Sequence, residues 1–334
     1  MMKQFVSLLA FVCLYATTLY AQQPSVLTLE KTIMLAGVTG KFDHFSLDEE
    51  GNRLFAASTG TSTVVVIDLA SDKILDKLEG LGKPHGLVWV AEAHRLFVTD
   101  GAKGELAVYA GVPLKRIQSI PLSEDADDLV YDSATKLLYA GYGGTSAANP
   151  SRVAVVDTTS LQLISNLPVA SHPEGLELDP IADRIFVNVA DSGQVVVIDG
   201  KTHQIAATWT LHQGKDNTPL VFDTDHGFLL VVCRTPAEVL VINGTTGIEG
   251  MTIKSEAGAD DLFFEPATRH AFLVTGAGTV DTFAMSADGT LARLAVTQTE
   301  RGAKTGYLDA KRRRLFVGVP GTGAPSSVRV YATK

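Results

Sequence analysis

FSLDEEGNRLF (45–55) packs into eleven residues an apolar strand, an acidic residue, a polar turn and the start of a second apolar strand. Six further stretches repeat the pattern: LVWVAEAHRLF (87–97), LVYDSATKLLY (129–139), LELDPIADRIF (176–186), LVFDTDHGFLL (220–230), LFFEPATRHAF (262–272) and GYLDAKRRRLF (306–316). Their last residues, Phe55, Phe97, Tyr139, Phe186, Leu230, Phe272 and Phe316, are separated by 42, 42, 47, 44, 42 and 44 residues. A β-rich repeat of that period is the signature of a propeller blade. The acidic position holds Asp48, Asp132, Asp179, Asp223, Glu265 and Asp309, with Val90 the exception. A short polar side chain there can bond the backbone of a tight turn, a structural role.

Each unit continues into a β-branched run, such as VVVID from Val64 and from Val195, which reads as a third strand. Looser fourth strands follow, among them KILDKLEG from Lys73 and HQIAATWT from His203. The last unit ends at Lys334, just after its third strand. At the other end, KTIMLAGVTGKFDH (31–44) aligns with KILDKLEGLGKPHG (73–86), a fourth strand leading into a blade. Thr32 to Leu35 are therefore predicted to complete the seventh blade. The expected fold is an all-β, seven-bladed propeller of four-stranded blades, closed by the N-terminal strand, as one domain over 22–334. Closure removes the open edge that a linear array would carry.

Residues 1–21 place Lys3 before an apolar stretch from Phe5 to Tyr15 and end on Ala21, the pattern of a secretory signal peptide. The expected location is the periplasm or the exterior. Loss of Lys3 would move the net charge from −9 to −10. That charge disfavours nucleic acid and anionic membrane as partners, and no later run is long enough to span a bilayer. The basic turn Lys311 to Arg314 reads as solvated. Cys233 would be the only thiol left, buried in LLVVC and without an internal disulfide partner. A monomer is expected.

PHGLVWV with RLFVTD in the second unit, and PEGLELD with RIFVNV in the fourth, resemble the repeats of YVTN-repeat, or YncE-like, seven-bladed propellers. The resemblance covers nearly all of the mature chain, although Ala126, Asn217, Ala259 and Ala303 replace the repeat's proline. It implies a fold shared by binding proteins, lyases and lactonases, and by propellers that accompany quinone-dependent dehydrogenases.

In a propeller the first strand of every blade lines the central channel. Five residues before the acidic turn position stand Asp43, His85, Asp127, Glu174, Thr218, Asp260 and Lys304, one per blade. Their neighbours include His44, Asp128, His172, Asp216 and Asp261. The predicted ligand site at this mouth comprises Asp43, His44, His85, Asp127, Asp128, Glu174, Asp260, Asp261 and Lys304. Asp43, His85, Asp127, Glu174 and Asp260 are its candidate metal ligands, for Ca²⁺ or, through His85, a transition metal. A hydrated polar entrance is the plain alternative. Glycine- and proline-rich stretches at 141–151 and 318–327 are expected to form longer loops over the same face. His94, His226 and His270 are expected on the opposite face as separate surface groups. No P-loop, paired CxxC or G-x-S-x-G elbow appears.

The first functional reading is a binding protein that takes a small molecule or a partner protein at the mouth. The second is a metal-dependent lactonase-like or lyase-like enzyme at the same place, its metal activating water or polarising a carbonyl. A third is an accessory to a periplasmic quinone-dependent dehydrogenase.

Overall fold

A computed structural model describes residues 26–334. The expected signal peptide lies outside the described residues. Seven antiparallel four-stranded sheets form the blades, at 45–78, 84–121, 129–168, 173–210, 215–254, 259–298 and, for the seventh, 306–333 together with Leu27–Met34. The first strand of each blade contacts the first strands of its neighbours, and that of blade seven meets that of blade one, so the sheets close into a ring.

Closure follows the expected scheme with a longer strand. Leu27–Met34 pairs antiparallel with Ser327–Thr333, from Leu27 opposite Thr333 to Met34 opposite Ser327. Leu35 leaves the ladder, but its N–H still donates to the Ser326 carbonyl at 2.9 Å. Hydrophobic clusters sit between adjacent blades, and the repeating aromatics Phe55, Phe97, Tyr139, Phe186, Phe272 and Phe316 are all within 2% of complete burial. The 42-residue spacing is thus a packing period: one large apolar side chain wedges each blade against a neighbour.

The acidic turn position does what its chemistry allows. Asp48 accepts the Gly51 N–H at 2.9 Å, Asp132 the Ala134 N–H at 2.9 Å, and Asp309 the Arg312 N–H at 2.9 Å. Arg53 and Arg184 hold Asp48 and Asp179 from behind at 2.7 and 2.6 Å. Where Val90 stands instead, the chain makes a 3₁₀ turn, Ala91–Ala93, in which the His94 N–H donates to the Ala91 carbonyl at 3.1 Å; His94 keeps the left-handed backbone that the equivalent residue has in every blade.

Two expectations are corrected. The 141–151 stretch is mostly hairpin, because strands Leu137–Ser146 and Asn149–Asp157 pair out to Ser146 opposite Asn149, with an irregularity at Gly144/Thr145. Alternation of backbone hydrogen bonds survives the glycines because Gly143, at φ 87°, turns where a Cβ would lie 2.3 Å from the Pro150 carbonyl oxygen. The 318–327 stretch keeps an irregular centre between Val319 and Ser327. His270 is no separate surface group: it opens strand His270–Thr275, stands edge-on to Phe272 at 6.2 Å, and its Nδ1 is buried without a partner. Cys233 is fully buried, and burial pushes its thiol up to about 12.

Candidate functional site

The residue each blade contributes at the entry to its inner strand, just before it in blades one, three and seven and within it in the other four, is carried toward the axis, because that strand is the one nearest the channel. Asp43, His85, Asp127, Glu174, Thr218, Asp260 and Lys304 accordingly line one cavity of about 780 Å³. His44, Asp128 and Asp261 line it too, so the structure brings all nine predicted site residues together. Asp216 is not among the lining groups; its carboxylate accepts from the Thr235 hydroxyl at 2.6 Å.

Half of the mouth is an arc in which imidazoles and carboxylates alternate. His172 Nε2 lies 3.4 Å from Asp127 Oδ2, and Asp127 Oδ1 lies 3.3 Å from His85 Nδ1. His85 Nδ1 in turn bonds Asp43 Oδ2 at 2.6 Å, and Asp43 Oδ1 is 3.7 Å from His44 Nε2. His44 Nδ1 then bonds Asp261 Oδ1 at 2.9 Å, and the other oxygen of Asp261 accepts the Gly306 N–H at 2.7 Å. The arc therefore runs through contributions from blades four, three, two, one, six and seven. Asp128 is held behind it by the N–H groups of Leu129 and Leu176, at 2.8 and 3.0 Å.

The other half is a cationic clamp. Asp260 accepts from Arg234 at 2.5 Å and also pairs with Lys304, and Arg234 donates as well to the Ala259 carbonyl at 3.0 Å. Sequence reasoning missed Arg234, which lies near the end of the long second strand of blade five, Phe228–Thr235, rather than at the strand-entry position. The only available signal was a lone cation ending the otherwise apolar run FLLVVC. Also missed was Glu177, three residues along the strand from Glu174, which lines the same cavity.

Each carboxylate of the arc has an imidazole or backbone donor, and Asp260 has two cations. Burial alone lowers the proton affinity of His44, yet the carboxylates of Asp261, Asp128 and Asp43 overcome it and hold the imidazole well above its ordinary value. Burial likewise opposes protonation of His172, but Asp127 and the Gly143 carbonyl, 2.7 Å from Nδ1, bring it up to about 9. Both its ring nitrogens face acceptors, so both carry protons. Asp127 is correspondingly pulled down: burial is offset by His172, His85 and His44. Burial pushes Asp128 up to about 6 and raises Glu174.

Glu177 lies beyond this relief. Removal from bulk water, with the Asp128 charge adding to it, pushes its carboxyl up to about 8. A carboxyl raised on folding binds its proton more tightly in the folded state, so its ionisation takes stability away as pH rises from the unfolded value toward 8. Glu177→Gln should therefore leave the melting temperature nearly unchanged at pH 4 and raise it at pH 9. Melting curves across that range check this, and an equal effect at both ends would show that Glu177 is solvated.

No known protein-family model matches the chain, and no curated protein does. Similar solved structures include a chain in a crystal structure of a mitotic checkpoint complex, at 14% identity and TM-score 0.76 over 98% of this chain and 99% of that one. Another is in the hydrazine synthase of Kuenenia stuttgartiensis, at 14% identity and TM-score 0.75 over 90% of this chain and 99% of that one. At such identity the likeness carries the propeller fold alone. Among the described residues no helix is long and apolar enough to cross a membrane.

Proposed function

We propose that the chain is an exported, monomeric binding propeller of the YVTN-repeat, YncE-like kind, and that it holds a small polar molecule at the mouth of its channel. The observation that carries this reading is the division of one cavity of about 780 Å³ into a cationic clamp, Arg234 and Lys304 on Asp260, and an imidazole–carboxylate arc. Such a mouth presents donors and acceptors of both charge signs at fixed separation. It suits a compact ligand with an anionic group for the clamp and hydroxyl or ammonium groups for the arc. Apolar side chains in the same lining, Val130, Val221 and Phe264, accept its carbon skeleton.

The test is a thermal-shift panel of hydroxy acids, amino acids, sugar acids and lactones, run in EDTA on the mature protein. At least one class should raise the melting temperature in proportion to the logarithm of its concentration. Arg234→Gln should remove that shift. A panel that moves nothing, or a shift unaffected in Arg234→Gln, would overturn the reading.

The enzymatic reading is favoured by one feature, the approach of Asp43, His44 and Asp127, whose ligand atoms lie within 4.8 Å of one another. In that reading a lactone of the panel is turned over rather than held, and turnover requires a divalent metal.

A further inference from the structure

We propose that Asp43, His44 and Asp127 bind a divalent transition metal of the Mn²⁺ to Zn²⁺ series in preference to Ca²⁺. The inference rests on the mouth being the functional site and adds to it the identity of one occupant. Three donor atoms within 4.8 Å of one another are near enough to share an ion at bonds of about 2.0–2.2 Å. Two carboxylates with one imidazole whose Nε2 proton the ion displaces also balance a divalent charge.

The donor set differs from the one that spacing suggests. Glu174 and Asp260 are not in the cluster, and Asp260 is committed to Arg234 and Lys304. His44 takes their place, and it changes the chemistry. Ca²⁺ takes six to eight oxygen donors, while imidazole suits the later first-row ions.

Each ligand is also held by a group from another blade. Asp261 holds His44 Nδ1 at 2.9 Å and is itself fixed by the Gly306 N–H. His85 holds Asp43 at 2.6 Å, and His172 faces Asp127 at 3.4 Å. A carboxylate on the outer nitrogen of an imidazole fixes the tautomer that leaves the inner nitrogen's lone pair for a metal. The inner nitrogen, His44 Nε2, is the one turned to Asp43 Oδ1. His85 reaches both carboxylates through Nδ1, 2.6 Å from Asp43 and 3.3 Å from Asp127, which engages its only site-facing nitrogen; the ring is 5% exposed and its Nε2, on the edge toward Gly101, has no hydrogen-bond partner. His85 is therefore assigned as a positioning residue, not a ligand. Three protein donors leave the remaining coordination positions open to the cavity, where a small molecule with oxygen donors can reach the ion.

The experiment uses the mature chain, stripped with EDTA and titrated with Co²⁺ by calorimetry and visible absorption. One equivalent should bind, with ligand-field bands that a tenfold excess of Ca²⁺ does not remove. His44→Gln should abolish the bands, and Asp127→Asn should weaken binding at least tenfold. Asp261→Asn, which changes only the group behind His44, should weaken it by about 10- to 100-fold. Melting curves report that each variant is folded, and the wild-type stoichiometry and Ca²⁺ competition stand whatever the variants do. Failure to bind one equivalent, displacement by Ca²⁺, or unchanged affinity in His44→Gln would overturn the proposal. Binding of a panel ligand in EDTA by a chain that takes no Co²⁺ would overturn this inference alone and leave the binding reading in place.

Discussion

A chain lacking residues 26–35 is expected to melt on the order of 10 °C lower than the intact protein and to aggregate as it does so. The deletion removes Leu27, Ile33 and Leu35, all at least 97% buried. Burial of such side chains stabilises by about 1.5–3 kcal/mol each, an upper estimate because the unfolded chain already hides part of that area. For a domain of this size each kcal/mol moves the midpoint by about 1.5 °C. The deletion also strips Ser327–Thr333 of its outer neighbour, exposing a row of unpaired backbone groups on a strand that carries Val328, Val330 and Tyr331. An open, apolar edge of that kind recruits other chains. Calorimetry with light scattering checks both parts; an unchanged melt would show that the ring does not depend on this strand for closure.

Phe97→Ala should cost about 3–5 kcal/mol, the usual range for a large aromatic deleted from a packed core. Phe97 is fully buried and joins Leu106, Val108, Ile120, Leu129 and Leu138 between blades two and three. Phe97→Leu should cost much less, since Leu230 fills the equivalent position of blade five and is itself fully buried. Val112→Ala, at a side chain 93% exposed, serves as the control and should change stability by no more than about 0.5 kcal/mol. Denaturant midpoints at constant slope measure all three. A loss under about 1 kcal/mol for Phe97→Ala would mean that the periodic aromatics do not lock the blades together.

That contrast explains why the architecture was readable and much of the mouth was not. Phe97 and its six counterparts recur because every blade solves the same packing problem, and a repeated solution leaves a period in the chain. The turn acids recur for the same reason, and Val90, the one departure, marks the one 3₁₀ turn among the described residues. The mouth positions were legible as a set, since they follow from strand order around a ring. Their pairing was not. Whether Asp43 meets His85, His44 or Asp260 depends on angles across the axis that no linear spacing contains.

The charge balance of the mouth is not legible from a count of acids, because an imidazole is neutral until carboxylates on neighbouring blades hold its proton. His44 and His172 gain that charge only when the ring closes. Arg234 escaped notice because it reaches the clamp from a second strand. Glu177 did so because it lies three residues past the entry position on blade four. The 141–151 segment misled for a different reason: its glycines and proline mark turns in most chains, and here they ride on a hairpin whose ladder continues past them.

The central claim is that the protein acts at the channel mouth, and the most direct test is a crystal structure of the mature chain soaked with the tightest-binding member of the thermal-shift panel. The account predicts density for that molecule between the Arg234–Lys304 clamp and the Asp43–Asp127 side of the arc, with its anionic group on Arg234. A molecule seated on the outer strands, or at the opposite end of the channel with the mouth unchanged, would contradict it.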